Sequence, residues 1–165
     1  MFITEATGTS SNATIAVAPK IPGKIIKLSV GAKQYRLNNG VFLACESSVY
    51  YTMKKQELGK AIFAKTGGLF VMETEGQGDV LATAFGDLVE LQVEAGKELT
   101  IDNDHVVAWE STLDYHMAIA SGTFGFTTGE GIVNKFTGQG KVLIQTRNLQ
   151  SFADALTKYL PQTNT

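Results

Sequence analysis

The chain has 165 residues, of which 44% are hydrophobic and 18% charged, and its formal net charge is −2. This composition fits one globular domain with a real core. It offers no basic face for a phosphate backbone, and no apolar run approaches the roughly 20 residues of a membrane helix, so neither nucleic acid nor an integral membrane segment is expected.

The first residues, Met1-Phe2-Ile3-Thr4-Glu5, lack a basic n-region, a long apolar h-region and an Arg-rich amphipathic pattern, so a cytoplasmic location is expected. Asn12-Ala13-Thr14 matches the glycosylation triplet and, without a secretory signal, reads as loop. Ile26, Leu28 and Val30 alternate with Lys27 and Ser29, the period of a strand with one buried face. Tyr35 and Leu37 mark the next strand, and Asn39-Gly40 a turn. Val41 to Cys45 is continuously apolar, as in a strand buried on both faces, and Val49 to Met53 follows. Cys45 is the single cysteine, so no intrachain disulfide can form; it reads as a small buried residue rather than a nucleophile.

Gln56 to Ala64 reads as one helical turn or an irregular connection. Beyond it, Val89, Leu91 and Val93 alternate with Glu90 and Gln92; Leu99 and Ile101 mark a strand, and Asn103-Asp104 a turn. Val106 to Trp109 is apolar throughout, Leu113 to Ile119 is a further strand, and Ala120 to Gly131 is a Gly/Thr-rich loop. Ile132 to Phe136, Gly138-Gln139-Gly140 and Val142 to Gln145 read as strand, glycine turn and strand, a hairpin. Leu149, Phe152, Ala153, Leu156, Tyr159 and Leu160 form one stripe of a helix expected at about 150–160, with Ser151 as its cap and Pro161 at its end; residues 162–165 are expected to fray.

These segments recur. Residues 70–81 match 132–143 at an offset of 62, sharing Val, Gly-Gln-Gly and Val-Leu. Residues 42–53 match 106–117 at an offset of 64, sharing Ala, Glu, Ser, Tyr and Met; Gly23 to Val30 corresponds to Gly86 to Val93; and Phe2 to Gly8 resembles Phe70 to Gly76. Short strands and frequent turns predict an all-β chain, an antiparallel β-sandwich or double-stranded β-helix with a short C-terminal helix. One domain over 1–161 is expected, with repeat units of about 60–70 residues at 1–68, 69–129 and a partial third at 130–148.

Chemistry is thinly marked. His105 and His116 are the only two histidines and are not spaced as a ligand pair, so no metal is expected. The bland reading makes His105 a turn residue capping backbone groups and His116 a strand residue hydrogen-bonded to a neighbour. Gly76-Gln77-Gly78, Gly129-Glu130-Gly131 and Gly138-Gln139-Gly140 precede strands, whereas a phosphate loop opens a helix. Ser47, Ser48 and Ser111 sit in turns after a glutamate, outside any Gly-x-Ser-x-Gly elbow. Arg147 ends an apolar strand, where arginine pairs a carboxylate or caps strand carbonyls. Trp109 belongs in a core, where its indole N–H needs a partner. The weak ligand-binding candidates are therefore His105, Glu110, His116 and Arg147, with no catalytic set and no cofactor.

Residues 129–147, Gly-Glu-Gly-Ile-Val-Asn-Lys-Phe-Thr-Gly-Gln-Gly-Lys-Val-Leu-Ile-Gln-Thr-Arg, resemble the signature of the altered-inheritance-of-mitochondria protein twenty-four family. So do Asp102 to Glu110 and Gly40 to Ala44. The resemblance implies a β fold like that of the tryptophan-RNA-binding attenuator, and supplies no catalytic residues. Fungal members of that family are associated with mitochondrial inner-membrane organisation. Typical members carry about one more repeat at the N-terminus, so residue 1 falls at the opening of their middle repeat and a sheet edge is left to be covered. The expected function is a non-enzymatic, self-associating β-scaffold or binding protein. The alternative is a small-ligand-binding or metal-dependent, cupin-like enzyme using a barrel mouth near His105, His116 and Glu110.

Overall fold

The computed structural model describes residues 4–55, 70–120 and 131–160. The described residues are all-β with one short helix, as expected. The strands are β1 (Gly23–Val30), β2 (Tyr35–Leu37), β3 (Phe42–Cys45), β4 (Val49–Lys55), β5 (Phe70–Gly76), β6 (Gly78–Phe85), β7 (Leu88–Val93), β8 (Leu99–Asp102), β9 (Val106–Glu110), β10 (Asp114–Ile119), β11 (Ile132–Thr137) and β12 (Gly140–Gln145). A 3-10 turn, Asn103–His105, joins β8 to β9, and helix α1 spans Leu149–Thr157. Residues 4–22 form neither strand nor helix, including the part of the Phe2–Gly8 match that is described. The expected connection at Gln56 to Ala64, the expected loop at Ala120 to Gly131 save its two end residues, Pro161 and residues 162–165 lie outside the described residues.

Among the described residues three antiparallel sheets result, ordered β1-β6-β3, β4-β5-β2-β9-β12-β7 and β10-β11-β8. The six-stranded sheet carries a hydrophobic cluster on each face. Met72 of β5 and Leu143 of β12 join Leu28, Val80 and Ala82 of the first sheet. Their sequence neighbours Val71 and Val142 point the other way, to Ile101 and Phe136 of the last sheet. This is the two-residue period of a strand buried on both sides. β9 is buried along its whole length, matching its continuous apolar run. A register shift between Leu143 and Ile144 bulges its pairing with β12.

Pairing follows one pattern twice. β6 lies between β1 and β3, as β12 lies between β7 and β9. β5 lies between β4 and β2, as β11 lies between β10 and β8. The halves meet where β2 pairs with β9: Tyr35 opposite Glu110, Arg36 opposite Trp109, Leu37 opposite Ala108.

The hairpin reading of the Gly-Gln-Gly turns is corrected. β11 pairs with β10 and β8, whereas β12 pairs with β7 and β9; β5 and β6 are separated in the same way. Each glycine turn hands the chain from one sheet to another. At Gly76 (φ +88°) a Cβ would meet the Ser48 carbonyl oxygen at 2.6 Å, so glycine is required by both backbone and space.

Smaller corrections follow the sheet edges. β3 is an outer strand and only half-buried, unlike its counterpart β9. Leu91 and Val93 pack in the second cluster, but Val89, on the outer strand β7, stays 41% exposed. Helix α1 starts one residue earlier than expected. Its cap is Asn148, whose side chain accepts from Ser151 N at 2.7 Å. Ser151 is inside the helix, and the helix buries none of its own residues.

Candidate functional site

The sheets diverge beside β1 and β7. Gly23 of β1 bridges to Gly86, just ahead of β7, with Lys24 N donating to Gly86 O at 3.2 Å and Gly86 N to Pro22 O at 3.1 Å. Beyond it a cleft of about 320 Å³ opens. Ile26, Leu28, Leu88 and Leu143 make its apolar floor, and Tyr35 and Trp109 contribute to its walls. Ile26, Leu28 and Leu143 reach the floor by the alternation of β1 and β12, which turns every second residue inward, and Leu88 joins them from the start of β7.

Charged groups form the rim, each facing an opposite charge. Lys33 Nζ lies 2.5 Å from Glu110 Oε1, Lys27 Nζ 2.9 Å from Asp79 Oδ2, and Lys141 Nζ 2.6 Å from Glu90 Oε1. The hydrogen bond to Glu110 holds the Lys33 ammonium above its ordinary pKa, and the bond to Asp79 does the same for Lys27. The bonds from Lys27 and Ser29 keep the Asp79 carboxyl low. Ser29 donates directly to Asp79 at 3.0 Å, with no base interposed. An apolar floor under a self-neutralised rim suits binding of a largely neutral group.

The sequence candidates do not converge. His105 takes the backbone role expected of it: Nδ1 lies 2.7 Å from Gln145 O and Nε2 3.2 Å from Asn148 Nδ2. Glu110 stands at the other end of β9, roughly 15 Å away at 3.3 Å per residue. Its carboxylate reaches the cleft rim. His116 is exposed on β10, opposite Lys135 and near Glu98. Arg147 is exposed beside Gly86; its backbone N donates to Phe85 O at 3.3 Å, but its guanidinium has no partner among the described residues. Among these residues no three His, Cys, Asp or Glu side chains group to hold a metal. Cys45 is half-buried, and burial pushes its thiol pKa up, away from nucleophilic chemistry.

Arginine pairing occurs instead at Arg36. Its Nε lies 3.3 Å from Glu73 Oε2, its Nη1 donates to Leu113 O at 2.8 Å, and its guanidinium sits 5.5 Å over the Tyr115 ring. Sequence reading also missed a buried amide cluster. Asn134 Nδ2 donates to Asn103 Oδ1 at 3.0 Å, and Asn38 Nδ2 to Asn103 O and Val106 O, each at 3.0 Å. Three asparagines from distant segments gave no local signal. The second cleft, about 640 Å³, lies between Ala18–Ile21 and the turn at Asn38–Leu43, with Met53, Phe70, Met72 and Leu149 around it.

A family model described as "Mitochondrial biogenesis AIM24" matches residues 1–147. An uncharacterized protein of Streptococcus pyogenes serotype M6 (strain ATCC BAA-946 / MGAS10394) is 48% identical over 162 residues, 98% of this chain and 64% of that protein. A crystal structure of a Streptococcus pyogenes protein superposes with a TM-score of 0.76 at 47% identity, covering 87% of this chain and 63% of the other. The chain thus spans somewhat less than two thirds of the length of these two relatives.

Proposed function

We propose that this chain, which belongs to the AIM24 family, is a self-associating β-scaffold that binds its partners and does not transform them. The observation that carries this reading is the cleft rim, where Lys27, Lys33 and Lys141 are each tied to a carboxylate. A general acid, base or nucleophile needs a group poised for proton transfer, whereas these ion pairs hold an inert frame around an apolar floor. Self-association draws support from the outer strands, whose backbone groups offer a template for another chain.

The scaffold is a single domain built by duplication of units of about 60–70 residues, and among the described residues six strands at 23–85 and six at 88–145 follow the same order of pairing. The repeated pairing pattern supports this, as does one charge inversion. Lys27 bridges diagonally to Asp79 across β1 and β6, and Glu90 bridges along the same diagonal to Lys141 across β7 and β12. Antiparallel pairing throughout the ladders agrees with an attenuator-like β unit. The net charge of −2 speaks for protein or small-molecule partners over nucleic acid, and no helix among the described residues is long and apolar enough to cross a membrane. A cytoplasmic site of action belongs to this reading.

Light scattering on a sizing column at low micromolar concentration tests the proposal: an oligomer is expected, and a clean monomer counts against it. The second reading, a ligand-dependent or metal-dependent enzyme, draws on the 320 Å³ cleft. Elemental analysis of purified protein, with and without added transition metal, decides its metal form.

A further inference from the structure

We infer that copies of this chain join head to tail, with β8 of one copy pairing along β3 of the next. The inference rests on the self-association proposed above and names the edges that carry it. Within the chain, the six-stranded sheet exists because β2, an outer strand of the β4-β5-β2 set, pairs with β9, an outer strand of the β9-β12-β7 set. By the shared pairing pattern, β8 is the counterpart of β2 and β3 the counterpart of β9. Both are outer strands, β8 pairing only with β11 and β3 only with β6 among the described residues. One copy therefore holds a completed joint and the two halves of a second one on separate sheets.

The residues at those edges match. Placing β8 and β3 in the register of β2 and β9 puts Leu99 opposite Glu46, Thr100 opposite Cys45 and Ile101 opposite Ala44 of the next copy. The internal joint is closed by Asn38 N donating to Val107 O at 2.9 Å and Ser111 N donating to Gln34 O at 2.8 Å. Asp102 N with Leu43 O, and Ser47 N with Glu98 O, occupy the same places between copies.

Charge completes the match. At the internal joint Lys33 bridges to Glu110. The residues 64 positions along and 64 positions back are Lys97 and Glu46. Lys97 is exposed and, among the described residues, bridges only to Glu94, three residues away in its own turn. Glu46 is exposed, accepts from Asp79 N and has no cation bridged to it among the described residues. Joining the edges brings Lys97 onto Glu46 of the next copy. The product is a sheet ordered β10-β11-β8-β3-β6-β1, the order of the existing six-stranded sheet. Such a joint uses two different surfaces, so copies add into a ring or an open row, not a two-fold dimer.

Cross-linking in the full chain tests this. Opposed residues in an antiparallel ladder lie roughly 4.5–5.5 Å apart at Cα, within disulfide reach of roughly 4.4–6.8 Å. Because Cys45 is the single cysteine, the T100C variant under mild oxidation is expected to give a ladder of covalent multimers, lost in T100C/C45A. K97E is expected to weaken self-association about fivefold, and K97E/E46K to recover it. A wild-type chain that stays monomeric across the concentration series overturns both this joint and the self-association. An oligomer whose T100C variant does not cross-link, or gives one dimer band indifferent to C45A, overturns the joint alone. Should E46K fail to fold, the cross-linking result decides.

Discussion

The indole of Trp109 meets the ring of Tyr115 edge to face, with centroids 4.7 Å apart and planes at 65°. Phe136 lies on it in the same manner at 5.5 Å. Trp109 is 1% exposed, and its Nε1 has no hydrogen-bond partner among the described residues. The expectation of a polar partner for this N–H is thus replaced by aromatic packing. W109F therefore removes ring volume but no hydrogen bond and is expected to cost about 1.5 kcal/mol, against about 3–5 kcal/mol for W109A. Chemical denaturation measures both. As the single tryptophan, Trp109 is also expected to emit in the blue and to resist acrylamide quenching until the chain unfolds.

The buried amides make a sharper demand. Asn134 is 2% exposed and spends its amide on Asn103, which also receives Asn38. N134A leaves the Asn103 carbonyl without that donor in a site closed to water. A loss of about 2–3 kcal/mol is expected from urea unfolding. A loss no larger than that of an exposed substitution would show that the cluster contributes little.

Glu73 sets an acid dependence. Partial burial alone would raise its pKa, but the hydrogen bond from Lys54 and the charge and hydrogen bond of Arg36 outweigh it, and the carboxyl is held low. A carboxylate with a depressed folded pKa contributes stability above its ordinary value, and loses it as pH falls through the folded one. Between about pH 6 and about pH 3 the wild type is expected to lose more unfolding free energy than E73Q. Parallel pH profiles for the two proteins would refute this.

Two glycines separate strain from space. Gly40 has φ +81° and nothing within 4 Å of the point a Cβ would occupy, whereas Gly76 has φ +88° and the Ser48 carbonyl oxygen 2.6 Å from that point. G40A is expected to cost about 1–2 kcal/mol, the strain of a left-handed alanine. G76A adds a backbone clash and is expected to cost at least about 1 kcal/mol more. Thermal melts of the two variants make the comparison.

Strand positions were largely legible in the sequence because burial on one face writes a two-residue period, as at Ile26, Leu28 and Val30. Partners were not. Periodicity says which way a side chain points and is silent on which strand lies alongside, so β11 and β12 looked like a hairpin. The cleft was equally hidden. Lys33 and Glu110 are 77 residues apart, and neither is unusual in its own neighbourhood. Arg147 drew attention by its place at a strand end, yet Arg36, within a three-residue strand, makes the pairs. The alignment of residues 42–53 with 106–117 carried more than any motif, because matched segments here also have matched partners.

The sheet-switching glycine turns have a consequence for how the chain reaches its native state. Among the described strands, only β4 with β5 and β10 with β11 pair as neighbours in sequence; the other ladders join strands further apart. β1 must wait for β6, and β2, already bound to β5, must wait for β9. Such high contact order makes for slow folding. During synthesis the ladders of β1 and β3 cannot close until β6 has left the ribosome, and early apolar strands stay uncovered over that interval, when chaperone capture would matter most.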